Sequence, residues 1–199
     1  LLDHGVDINY NKSDMVYPYQ ATPLTVATRI GNQAMVQFLI ERGADVTLAE
    51  KDGDRPYTIA VSNKNTALAD YLKSLEPAEF HDIENKKFEL RKYKLSDELV
   101  SFLTGKNLRL ELTQNEYEIR YIDFFTLTDT IEMKIGRQKL LRLSADIDNY
   151  SDLLLMWNPK KKGLIGCYDV EHQTYADLCS FAEFLTQPEI YLINFLEGT

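Results

Sequence analysis

Five residues in this chain could carry covalent chemistry or hold a metal: His4, His81, His172, Cys167 and Cys179. A thiol beside an imidazole becomes a nucleophile when the ring takes its proton. The setting argues against that here. Cys167 falls in a run read as a strand and Cys179 in a run read as a helix, where cysteine behaves as a small buried hydrophobe. No zinc-ligand spacing is present. The stretch Asp146-Ile147-Asp148-Asn149-Tyr150-Ser151-Asp152 spaces its carboxylates like a calcium loop. However, Ser151 stands at the sixth place, where glycine is needed, and Trp157 stands where a closing glutamate would be. There is no glycine-rich phosphate loop and no G-x-S-x-G elbow. The expectation is a protein that is not an enzyme and needs no cofactor or metal.

The same residue types suit recognition better. Asp146, Asp148 and Asp152 precede an apolar strand and cluster in sequence with Tyr150. Asp169 and Glu171 close the strand expected to pair with it, so they should reach the same rim. Carboxylates steer a basic partner and an aromatic anchors it; the plain alternative is a solvated loop. A second candidate is Tyr10–Gln20, rich in turn formers and carrying Tyr10, Tyr17 and Tyr19. Tyrosine offers large contact area at low entropic cost. Lys51, Asp52 and Asp54 form a third candidate, at the tip of a hairpin.

Charge narrows the partner. The net charge is −9. Up to residue 80 there are seven basic and eleven acidic residues, and beyond it fifteen and twenty, so both halves are acidic. That disfavours nucleic acid and anionic membranes and leaves a basic protein as the expected partner. No apolar run approaches the roughly 18 residues of a membrane span. Two cysteines make no disulfide framework, and no signal peptide is visible, so a reducing, cytoplasmic setting is expected.

The elements that must position these residues begin with a repeat. Thr22-Pro23-Leu24-Thr25-Val26-Ala27 recurs 33 positions later as Arg55-Pro56-Tyr57-Thr58-Ile59-Ala60, and Leu39 recurs as Leu72. Pro23 and Pro56 suit first-turn helix positions, where no amide donor is missed. Leu39-Ile40-Glu41-Arg42-Gly43-Ala44-Asp45 matches Leu1-Leu2-Asp3-His4-Gly5-Val6-Asp7, but at an offset of 38. The five extra residues fall in the Tyr10–Gln20 loop, and insertions in repeat stacks map to one face, often the binding face. The opening, the glycine close and the period of 33 resemble the ankyrin repeat family over residues 1–76. The first repeat is expected to be truncated. Thr25 and Thr58 stand where that family favours histidine, and Leu72-Lys73-Ser74-Leu75 lacks the close, as a capping repeat does.

Glu76-Pro77 should end the last helix, with 77–90 as a connecting segment. From 91 to 199 the pattern changes. Ser96 is expected to cap a short helix through Leu103. Strands are expected at 108–112, 117–121, 131–135, 139–143, 152–157 and 164–170. Thr174-Tyr175-Ala176-Asp177 reads as a capping box opening a helix, and 188–196 as a last short helix or a strand. The fold class is therefore α + (α+β): helix-pair repeats, then a small, mostly antiparallel α+β domain.

The second module resembles the SUKH superfamily. The resemblance rests on Ser101-Phe102-Leu103, Asp152-Leu153-Leu154-Leu155, Lys162-Gly163, Tyr168-Asp169 and Ser180-Phe181-Ala182-Glu183-Phe184-Leu185, and covers roughly 84–199. It implies a bacterial immunity protein that binds a cognate toxin domain and blocks it by occlusion. The alternative is an ankyrin-based adaptor or regulatory scaffold serving several cellular partners. An enzyme regulated by its repeats is a third reading, disfavoured by the lack of a site.

Overall fold

The computed structural model describes residues 5–16, 18–161 and 163–198. The chain divides into two units, residues 1–78 and 79–199, each with its own core.

Among its described residues the first unit has two helix pairs: α1 Pro23–Ile30 with α2 Gln33–Glu41, and α3 Pro56–Ser62 with α4 Thr66–Lys73. The 33-residue period repeats the caps as well as the helices. Asn32 and Asn65 cap α2 and α4, their side chains accepting from the N–H groups of Met35 and Leu68. Thr25 and Thr58 each turn a hydroxyl back to close the start of α1 and α3. Thr25 accepts from the N–H of Thr22 at 2.9 Å and Thr58 from that of Arg55 at 3.0 Å. This is what threonine does at the two positions where histidine was the expected residue: it satisfies an orphan amide at the helix start. Gly31 ends α1 at φ +74°, a conformation that costs glycine little.

Leu24, Val36, Leu68 and Leu72 are almost wholly buried between the helices, each contributing about 1.5–3 kcal/mol of burial. Val26, expected in this core, is only half-buried. At the end of α4 the carboxylate of Glu76 is buried and gripped by Arg55, with Nε at 2.6 Å and a second nitrogen at 3.3 Å.

The second unit opens with α5 Ile83–Leu90 and α6 Asp97–Leu103, the latter capped by Ser96 as expected. Eight strands follow: β1 Arg109–Glu111, β2 Tyr121–Phe124, β3 Ile131–Ile135, β4 Gln138–Arg142, β5 Ser144–Ile147, β6 Leu153–Asn158, β7 Leu164–Asp169 and β8 Thr174–Ser180. Two helices end the chain, α7 Phe181–Thr186 and α8 Pro188–Glu197. Every strand pairing is antiparallel. One sheet has the order β1-β2-β5 and the other β3-β4-β6-β7-β8.

All six residues of β6 are buried, which explains its unbroken apolar run. Trp157 on β6 donates its indole N–H to the Tyr93 carbonyl at 2.9 Å. Gly163, at φ +74°, lies against the Trp157 ring, where any Cβ would collide. Phe102 meets Phe124 and Phe181 edge-on, at 5.0 and 5.3 Å between ring centres, tying α6 to β2 and α7.

Three expectations for this unit need correction. Residues 117–120 are not a strand. The Asn115 side chain donates to the Thr113 and Ile119 carbonyls and accepts from the Ile119 N–H, and Glu118 sits at φ +55°. That local net holds a loop, and the strand starts at Tyr121. Thr174–Asp177 does not open a helix: it lies in β8, paired along β7. The capping box is at Ser180 and Glu183, which exchange hydrogen bonds at the start of α7. Asp146 and Ile147, read as the start of an acidic loop, lie in the strand Ser144–Ile147.

Candidate functional site

The inserted loop of the first unit is held in shape by its own polar residues. Asn11 donates from one side-chain nitrogen to the carbonyls of Gln20, at 2.8 Å, and Ala49, at 3.1 Å. Ser13 Oγ donates to the Pro18 carbonyl at 2.8 Å, and the Val16 N–H donates to Asp14 Oδ1 at 2.8 Å. The Lys51 N–H donates to the Tyr19 carbonyl at 2.8 Å. The loop is thus stitched to the following hairpin.

The tip is apolar and in water. Met15 is fully exposed and Val16 is 74% exposed; Tyr10 and Tyr19 are 41% and 56% exposed. Single exposed hydrophobes are ordinary. Four on one braced loop are more than scattered single residues and are of the kind found at interaction sites. Tyr17 lies outside the described residues. Met15 and Val16 were not among the residues singled out from sequence. Their signal was there: two adjacent apolar residues inside a turn-forming stretch with no periodic partner.

The hairpin contributes unevenly. Lys51 is exposed and Asp52 is half-buried. Asp54 is buried: its carboxylate accepts from Thr58 Oγ1 at 3.2 Å and its carbonyl from the Glu50 N–H at 2.7 Å. Burial pushes the Glu50 carboxyl up, opposed by Arg29, whose guanidinium lies 2.5 Å away. Asp54 and Glu50 therefore build the hairpin rather than face outward.

The acidic residues of the second unit fall into two sets. Asp146 is on β5, opposite Asp123 of β2, and accepts from Tyr121 Oη at 3.2 Å. Asp123 is held bidentately by Arg109, at 2.7 Å from two nitrogens, and that guanidinium lies 4.0 Å over the Tyr121 ring. Asp148 is buried and takes Arg120. Tyr150 is half-buried and edge-on to Tyr117. These groups are engaged by partners from their own unit.

Asp152 is exposed, and its carbonyl accepts from the Val170 N–H at 2.9 Å, which places it beside the end of β7. Asp169 and Glu171 lie at that same end. Asp169 is tied to His172, accepting from its backbone N–H at 2.9 Å and contacting its ring Nδ1 at 2.8 Å. The structure thus brings Asp152 together with Asp169 and Glu171, while Asp146 lies in the other sheet and Asp148 just past the end of its strand β5.

The two cysteines are buried. Burial pushes both thiols up, Cys179 to about 11, opposed by a hydrogen bond from Tyr191. Thiols held protonated in this way are poor nucleophiles. His4 lies outside the described residues. Among the described residues, no group of three or more His, Cys, Asp and Glu side chains is placed to hold a metal ion. No helix among them is long and apolar enough to cross a membrane. A concavity of about 680 Å³ opens beneath the 112–120 loop, lined in part by Leu112, Asn115, Ile119 and Arg120.

Comparison with known proteins bears on the first unit. Residues 1–84 match the family described as Ankyrin repeats (3 copies). No match to the SUKH superfamily accompanies it. The chain is also 27% identical over 105 residues to the ARF GTPase-activating protein Git of Drosophila melanogaster, an alignment covering 53% of this chain and 12% of that protein. The first unit therefore carries ankyrin repeats, an architecture used for binding other proteins, and the second is a mostly antiparallel sheet unit.

Proposed function

We propose that this protein acts by binding another protein and not by catalysis, and that the 10–20 loop of its repeats is the contact surface. The observation that carries the reading is the exposure of Met15 and Val16 on a loop already braced by Asn11, Ser13 and Asp14. A braced loop has less ordering entropy left to lose on binding. An exposed apolar tip on a loop that also carries tyrosines suits an apolar surface on a partner.

The finer reading is a bacterial immunity protein that occludes a cognate toxin. It rests on the resemblance of residues 84–199 to the SUKH superfamily and on the net charge of −9, which favours a basic target such as a nuclease or deaminase domain. The second reading, an adaptor with several clients, is favoured by the likeness to Git, whose name describes a GTPase-activating protein.

Recovery of the tagged protein from its native cells at moderate salt separates the two. The immunity reading predicts one stoichiometric basic protein, lethal when expressed alone and harmless beside this chain. A spread of non-toxic proteins would overturn it in favour of the adaptor.

A further inference from the structure

Among the described residues, the last strand of the larger sheet is paired by another strand on one side only. β8 pairs with β7 on one side and ends the order β3-β4-β6-β7-β8. Natural sheets blunt such edges with lysine, proline, brevity, bulges or a covering helix; here a bulge falls at Leu178 and α8 stands off across a groove. β8 is seven residues long, Thr-Tyr-Ala-Asp-Leu-Cys-Ser, and has neither lysine nor proline.

A groove of about 520 Å³ runs beside it. One wall is Thr174–Leu178, five consecutive strand residues. Alternate residues of a strand face opposite ways, so five in a row share a groove only along the strand's edge. The other wall is one stripe of α8, with Tyr191, Asn194 and Phe195 at helical spacing. Strand edge on one side and helix on the other is the geometry into which an extended chain adds by main-chain hydrogen bonds.

The walls are preformed. Tyr175 Oη donates to Asp177 Oδ1 at 2.7 Å, and that oxygen also accepts from the buried Asn158 at 2.9 Å. The Tyr175 ring lies across Gly166, where any Cβ would strike it. The register steps from Asp177 opposite Gly166 to Cys179 opposite Ile165, leaving Leu178 as the extra residue of a bulge. A bulge re-aims its side chain, and Leu178 lines the groove.

Charge selects the occupant. From Gly163 to the end, the chain has no lysine or arginine but carries Asp169, Glu171, Asp177, Glu183, Glu189 and Glu197. Residues 79–162 hold as many basic as acidic side chains, so the net charge of the second unit comes from this segment, and Asp177 lines the groove itself.

We propose that the β8 edge and α8 bind an extended basic segment of another protein as a sixth strand, with lysine or arginine alternating with apolar residues. About five peptide residues match the length of the strand wall. This surface is distinct from the repeat loop and does not depend on the reading given to that loop.

The test uses the full chain, labelled for NMR, and a capped Lys-Val-Lys-Val-Lys-Val peptide at millimolar concentration. The expected result is shifted amides at Thr174–Leu178 with slowed hydrogen exchange, weakened by added salt. A Glu-Val version should leave them unmoved, as should a version with proline for valine, which lacks those amide donors. Ala176→Lys, at an exposed position, should weaken binding about tenfold or more without moving the thermal midpoint. Unmoved amides at 174–178, or equal binding of the acidic peptide, would overturn the proposal. So would exchange that slows with protein concentration and no peptide, which would make the occupant a second copy.

Discussion

Arg120 and Asp148 are joined three times. The buried carboxylate accepts from two guanidinium nitrogens, at 2.6 and 2.9 Å, and from the backbone N–H of Arg120 at 3.0 Å. This fixes the start of β2 against the end of β5. Asp148→Ala leaves that part-buried amide without this acceptor and removes the guanidinium's partner, and should cost about 1–3 kcal/mol. Asp152→Ala, four residues on and exposed, should stay within about 0.5 kcal/mol of the parent. Urea unfolding of the two variants measures both. Equal losses would mean that the acidic segment acts as a unit.

The start of α7 yields a sharper comparison. Ser180→Ala removes the side-chain cap and should destabilise by about 0.5–2 kcal/mol. Thr174→Ala changes an exposed strand position and should change little. Thermal unfolding of the pair distinguishes the cap at Ser180 from the one the sequence suggests at Thr174.

Asp169 and His172 give a pH signature. Burial acts to raise the Asp169 carboxyl, but hydrogen bonds and charge from His172 outweigh it and hold it below its usual 3.8. The Asp169 hydrogen bond and charge raise His172 above its usual 6.5. The histidine contribution is therefore complete below about 6.5 and lost as pH rises through its folded value. The aspartate contribution is complete above about 3.8 and lost as pH falls through its folded value. His172→Ala should differ most from the parent between those two limits, and the gap should close at alkaline pH. Thermal midpoints across pH 3–9 would show this. A gap independent of pH would mean that the pair contributes no charge interaction.

The repeat unit was legible because its signals are local. The 33-residue period, Pro23, Pro56 and the glycine close act within a few residues, and the helices follow from them. The second unit hid what depends on distant partners. Asp146 lies in a strand because β2, distant in sequence, pairs with its backbone, Asp123 opposite Asp146; in sequence it reads as an acidic loop. Tyr117–Tyr121 alternates like a strand, but the Asn115 side chain overrides the alternation. Thr174–Asp177 has the residue types of a helix cap, yet β7 takes its backbone. The tyrosines of the inserted loop were visible as candidates, and Tyr10 and Tyr19 are exposed. Asp54 was not visible as a buried one, since its partner Thr58 is fixed by the turn itself.

The most direct test of the central claim is the affinity of the partner recovered with this chain for the double variant Met15→Asp, Val16→Asp. Both positions are exposed, so unfolding should stay within about 0.5 kcal/mol of the parent. The account predicts that binding falls about a hundredfold or more, as removal of an apolar anchor does. Unchanged affinity in that variant, with binding lost instead on Asp152→Lys, would place the contact on the second unit and contradict it.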